Sequence, residues 1–100
     1  MGEDSVTVAL EGELDTHEWR QLRDTIVDSA GQGTSSVILD LDKVTFFDSS
    51  CVRALLGARE ELGGRGVTIY LGPCSRIVGE VVEITGIGEV FPSWPPVPAG

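Results

Sequence analysis

VILDLDKVTFFDSSCVRALLGAREEL, Val37–Leu62, is the stretch whose reading decides the fold. Its opening run Val37–Leu41 is apolar except for Asp40. Continuous rather than alternating hydrophobicity predicts a central, largely buried parallel strand. Lys43–Phe47 reads as the connection out of that strand, with Phe46 and Phe47 available to anchor it. From about Ser49 to Leu62 the period changes to that of a helix, with Val52, Leu55, Leu56 and Leu62 expected on the inner face and Gly63-Gly64 ending it. Asp48-Ser49-Ser50 opens this helix and sets a carboxylate and two hydroxyls at the positive end of its dipole.

Working outward, Val6–Leu10 alternates and is rich in β-formers, which predicts a strand. Asp15 with Glu18 three residues on forms a capping-box-like start for a helix that carries Trp19, Leu22, Ile26 and Ala30 on one face. Gly31 and Gly33 stop it. Beyond the central helix, Val67–Leu71 reads as a strand and Gly72-Pro73 as a turn. Ser75 then caps a helix with Ile77, Val78, Val81, Val82 and Ile84 on its apolar side, which Thr85-Gly86 ends. Val90-Phe91 fits either a last short strand or a packed turn. The order β-α-β-α-β-α calls for right-handed crossovers. The expected fold class is therefore α/β, a small, mostly parallel sheet with helices packed on it, about three or four of each. One sheet face is expected to lie open, with Phe91 or Trp94 helping to cover it. A single domain is expected over 1–91, followed by a flexible tail, Pro92–Gly100, with four prolines in nine residues.

Composition narrows the partners. Sixteen acidic and seven basic residues give a net charge of −9. Such a surface is repelled by nucleic-acid phosphates and anionic lipid, and suits a partner with a basic face. Cys51 and Cys74 are too few for a secreted disulfide scaffold, and neither a basic-then-apolar leader nor an apolar run of membrane-spanning length is present, so the cytoplasm is the expected location.

At the helix start two readings stand side by side. Asp48, Ser49 and Ser50 are ordinary capping residues, and one such cap is worth about 1 kcal/mol. If Asp48 takes the cap, however, Ser49 stands free on the first turn as an acceptor for a kinase, and a phosphate there adds about −1.5 to −2 charges to the face where a partner would dock.

Four segments give this chain a resemblance that spacing alone does not. They are Gly12–Asp15 (GELD), Leu39–Leu41 (LDL), Val44–Ser50 (VTFFDSS), and the late stretch from Gly72-Pro73 through Ser75 and Val78 to EITGIGEVF, Glu83–Phe91. Together they resemble STAS domains, specifically the bacterial anti-sigma factor antagonists, over nearly the whole chain apart from the tail. The resemblance implies a binding protein rather than an enzyme, without cofactor or metal. The unphosphorylated form would bind an anti-sigma factor that is also a serine kinase of the GHKL ATPase type, and so release the sigma factor. That kinase would phosphorylate Ser49, a PPM-type phosphatase would reverse the mark, and Asp15, Asp48 and Ser50 would contact the partner. Two features depart from the family. Cys51 stands where relatives usually have glycine, which places a thiol among the expected partner contacts; near a helix N-terminus its pKa is open to lowering, and a buried, inert thiol is the other reading. Relatives often carry an extra N-terminal edge strand, and the residues ahead of Val6 are too few for one.

Other candidates carry less. His17, the only histidine, has no cysteine near it in sequence and reads as surface. Nothing matches G-x-S-x-G, and Gly63–Gly66 lacks the spacing of a phosphate loop. Trp19 reads as core, and Trp94 as a lid on the sheet or an exposed contact. Two competing functions remain: a STAS subunit of a transporter or stress-signalling scaffold with no phosphoswitch, and thiol chemistry at Cys51.

Overall fold

The computed structural model describes residues 4–13 and 19–95. Strands β1 (Asp4–Glu13), β2 (Thr34–Phe46) and β3 (Thr68–Cys74) form a three-stranded sheet in the order β1-β2-β3, and both pairings are parallel. Between them run α1 (Trp19–Asp28) and α2 (Ser49–Gly63), followed by α3 (Arg76–Thr85) and a 3-10 turn at Ile87–Glu89. Two successive crossovers of the same hand in an order that never reverses bring α1 and α2 to the same side of the sheet. There they pack on each other. The α/β class and the small parallel sheet are thus as expected, with three strands and three α-helices.

Side-chain alternation sorts the sheet into two faces. Val37, Leu39 and Leu41 of β2 and Ile69 and Leu71 of β3 join Ile26, Leu55, Ala58, Leu62 and Val78 in one core cluster. Ile38 and its cross-strand partners Thr7 and Tyr70 point the other way. Among the described residues this second face carries no helix. Trp94 is its partial cover, with its ring edge-on to Tyr70 at 5.0 Å between centroids. Phe91, the other residue considered for that task, instead enters the main core and is 1% exposed.

Several boundaries differ from the sequence-based expectation, each for a physical reason. β2 runs on through Lys43 to Phe46, because β1 is long enough to pair with it there, Glu11 with Lys43 and Glu13 with Phe46. A register irregularity between Ala9 and Glu11 lets both Leu41 and Val44 reach the core although they are three residues apart. Only Phe47 and Asp48 remain as the connection, and of the two phenylalanines Phe47 is buried while Phe46 is 48% exposed. β3 likewise passes through Gly72-Pro73 to pair Cys74 with Leu41, so these residues are strand rather than turn. Glycine is required at that point, since a Cβ on Gly72 would lie 2.9 Å from the Leu39 carbonyl oxygen.

Helix faces are narrower than the apolar spacing suggested. On α2 the inward residues are Cys51, Val52, Ala54, Leu55, Ala58 and Leu62, and Leu56 turns outward. On α3, Val78 is buried and Val81 and Val82 pack against the core, whereas Ile77 and Ile84 face solvent, Ile84 at 83% exposure. Ser75 caps α3 by accepting from the Val78 amide at 3.3 Å, and Gly86, at φ 73°, ends it in the left-handed conformation.

After the 3-10 turn Val90-Phe91 is a packed turn, and the strand-like pairing comes later. The Leu71 amide donates to the Pro92 carbonyl and the Trp94 amide to the Leu71 carbonyl, both at 2.8 Å. The packed chain therefore includes Pro92–Trp94, and residues 96–100 of the expected tail lie outside the described residues. From this arrangement Phe91→Ala is expected to cost about 3–5 kcal/mol, as for other large core truncations. Trp94→Ala is expected to cost less than half of that, because the ring is only partly buried. Urea unfolding midpoints of the two variants against wild type check the order.

Candidate functional site

All strands being parallel, the N-termini of the helices that follow them collect at one end of the sheet, beyond the strand C-termini, where α/β folds commonly place their sites. At that end the chain leaves Phe46, buries Phe47 and enters α2 through Asp48. Asp48 is extended, at φ −126° and ψ −171°, and its carboxylate Oδ1 accepts from the backbone amides of Ser50 at 3.0 Å and Cys51 at 3.2 Å. Two amides that a helix start would otherwise leave unpaired are satisfied by one side chain.

Because Asp48 takes the cap, neither serine is needed for it. Ser49 is exposed, and its hydroxyl makes no hydrogen bond among the described residues; Ser50 is half-buried. Ser49 stands at the head of a row that continues down α2 through Val52, Arg53, Leu56, Gly57 and Glu60 and lines a shallow groove of about 390 Å³. Leu56 in this row and Phe46, three residues ahead of the serine at the end of β2, are 41% and 48% exposed. Neither was expected there; the i, i+4 repeat from Ser49 to Arg53 and Gly57 was the signal that could have found the row.

Cys51 does not belong to this surface. It was expected among the partner contacts, and it is instead fully buried in the core cluster. Its thiol is not activated by the helix start either. Burial pushes its pKa from 9.0 to about 11, and the nearby negative charge of Asp48 adds to the rise. Desolvation outweighs the helix-dipole argument because the thiolate would have to exist without water. Burial also raises the Cys74 pKa. Neither cysteine forms a disulfide. Of the remaining candidates, Asp15 and His17 lie outside the described residues. Among the described residues no group of three His, Cys, Asp or Glu side chains is placed to hold a metal ion, and no helix is long and apolar enough to cross a membrane.

Near the groove, the first residue of α1 meets α2. Trp19 is half-buried, and the guanidinium carbons of Arg20, Arg23 and Arg53 lie 4.8, 5.6 and 5.6 Å from its ring centroid. Gly57 makes room for this contact, since a Cβ there would come within 3.0 Å of the Arg23 side chain. Trp19, read as core, is thus the platform of a basic cluster at the rim of the seam between the two helices.

A parallel three-stranded sheet, a capped helix start and an exposed serine at its first position characterise this end of the molecule. The chain belongs to the STAS domain family, whose model matches residues 2–98. It is 38% identical over 87 residues to the anti-sigma F factor antagonist of Lysinibacillus sphaericus, a match that spans 85% of this chain and 74% of the relative. It is 26% identical over 89 residues to the anti-sigma-B factor antagonist of Staphylococcus epidermidis, across 89% and 82% of the two chains. Among solved structures it is similar to the anti-sigma factor antagonist SpoIIAA in its unphosphorylated form, with a TM-score of 0.73 and 29% identity over 92% of this chain and 81% of that one. The phosphorylated form of SpoIIAA, described as a Bacillus cell fate determinant, matches with a TM-score of 0.65 and 28% identity over 92% and 84% of the two chains.

The buried thiol sets a pH dependence with a definite sign. The folded pKa of Cys51 lies above its unfolded value, so the neutral thiol is favoured in the folded chain. Its contribution is complete below pH 9 and is lost as pH rises from 9.0 toward about 11. The thermal midpoint of wild type is expected to fall over that range more steeply than that of Cys51→Ala. Melting curves of both proteins across the range, compared as a difference, provide the measurement.

Proposed function

We propose that this chain is an anti-sigma factor antagonist whose binding is switched by phosphorylation of Ser49. The observation that carries the reading is the division of labour at the start of α2: Asp48 occupies the cap and leaves the Ser49 hydroxyl exposed and uncommitted. The names of the relatives, which antagonise anti-sigma F and anti-sigma-B factors, support the class of partner. A solved phosphorylated form of SpoIIAA supports the switch.

In this reading the unphosphorylated protein binds an anti-sigma factor in the cytoplasm and so frees the sigma factor. The partner is a serine kinase of the GHKL ATPase type. The Ser49 Oγ attacks the γ-phosphorus of ATP, its proton passes to solvent or a base of the kinase, and ADP leaves. A PPM-type phosphatase hydrolyses the phosphoester and returns the hydroxyl. Asp15, Asp48 and Ser50 supply polar contacts, and the exposed rings and side chains of Phe46 and Leu56 supply apolar area. A dianion at the centre of such a surface must be desolvated on docking, and a like charge on the partner costs several kcal/mol more. Phosphorylation therefore acts on the interface while the fold persists.

The test is binding to the cognate anti-sigma factor by calorimetry. Ser49→Ala is expected to bind within a few-fold of wild type, and Ser49→Asp about tenfold or more weakly, a loss of at least about 1.4 kcal/mol. Equal affinity of all three proteins would instead make this a STAS subunit without a phosphoswitch.

A further inference from the structure

We infer that Arg53, held in place by Trp19 and flanked by Arg20 and Arg23, is a built-in receiver for a phosphate on Ser49. The inference rests on Ser49 being the phosphorylated residue and goes further, in assigning the new charge a partner within the chain itself. Three observations carry it. The first is direction. Arg53 follows Ser49 by four residues on α2, lines the same groove, and, like every helical side chain, leans toward the helix N-terminus, over the turn that holds Ser49.

The second is availability. Arg65 and Arg76 pair with Glu61 and Glu80, Arg23 pairs with Asp24, and Arg59 donates to the Val90 carbonyl. Among the described residues Arg20, Arg53 and Lys43 form no ion pair, and the guanidinium groups of the first two lie against the Trp19 ring. Three of seven basic side chains thus gather at one spot on a chain of net charge −9. Stacking on an indole orders a guanidinium while leaving its N–H groups available.

The third is need. The Asp48 carboxylate already consumes the amides of Ser50 and Cys51, so the helix start has little left to offer a phosphate. It also places a negative charge beside the dianion. A cation from elsewhere is required to offset that repulsion, and the guanidinium matches phosphate oxygens in pairs. Among the described residues the charged groups of the helix start, the groove and the cluster beside it are Asp48, which caps α2, Arg53 and Glu60 on α2, and Arg20, Arg23 and Asp24 on α1. On this account phosphorylation draws Arg53 over Ser49 and ties α2 to α1 through Trp19, so that the docking row is covered as well as recharged.

The experiment uses the full chain with phosphoserine installed at position 49 during translation, followed by 31P NMR through the second ionisation of the phosphate, near pH 6. In wild type the midpoint is expected about half a pH unit or more below that of Arg53→Gln. Arg53→Lys, which keeps the charge, should recover part of the lowering, and Arg76→Gln at the start of α3 should titrate as wild type does. Coincident curves for wild type and Arg53→Gln overturn the assignment. So does an Arg76→Gln shift as large as that of Arg53→Gln, which would mark a diffuse effect of net charge. No kinase or partner enters this measurement. Failure here is therefore separate from failure of the binding switch, which the affinities of Ser49→Ala and Ser49→Asp decide.

Discussion

The Asp48 carboxylate, by accepting from the amides of Ser50 and Cys51, fixes where α2 begins, and the character of the site follows from that choice. Had Ser49 been the cap, its oxygen would have been turned into the helix and unavailable. With Asp48 in that role, Ser49 becomes the first helical residue, outward and unbonded, and Cys51 is rotated two positions further round into the core. One side chain thus decides which of its neighbours is surface and which is interior. The same carboxylate raises the charge already present where a phosphate would be added, which is why the surrounding cations matter.

Much of this was legible in the sequence because the decisive signals are local. The apolar run Val37–Leu41, interrupted only by Asp40, marks a largely buried central strand, and Gly63-Gly64 and Gly86 mark helix ends whatever the tertiary context. Asp48-Ser49-Ser50 identifies a helix start by hydrogen-bonding chemistry alone. What the sequence hid are properties set by neighbours. Phe46 and Phe47 are chemically identical, and only the extension of β2 against β1 determines that Phe47 turns in and Phe46 out.

Helix faces failed in the same way. Leu56, Ile77 and Ile84 satisfy an apolar spacing, yet a three-stranded sheet offers too little area to cover the full apolar arc of α2 and α3. Their exposure is a consequence of sheet width. Of the two readings of the Cys51 thiol, the buried, inert one holds: proximity to a helix N-terminus favours a thiolate only if water or a cation is also present, and burial removes the first while Asp48 opposes the charge. Pairing of Pro92 and Trp94 with Leu71 runs through backbone groups and has no side-chain signature at all.

The topology explains why the candidate site has the company it has. A sheet that grows in one direction, β1 to β2 to β3, keeps successive crossover helices on one face and aligns their starts at one end. The first residues of α1 are therefore brought beside the first turns of α2, although some thirty residues separate them in sequence. Trp19 and its arginines come next to the Ser49 row as a geometric result of the fold, with Gly57 supplying the clearance that lets the two helices approach. The opposite face receives no helix from this arrangement and relies on Trp94 against Tyr70. A one-sided fold of this kind gathers its helix starts at a single end, so the exposed Ser49 and the arginines around Trp19 share one surface, and a charge added at Ser49 would fall on it.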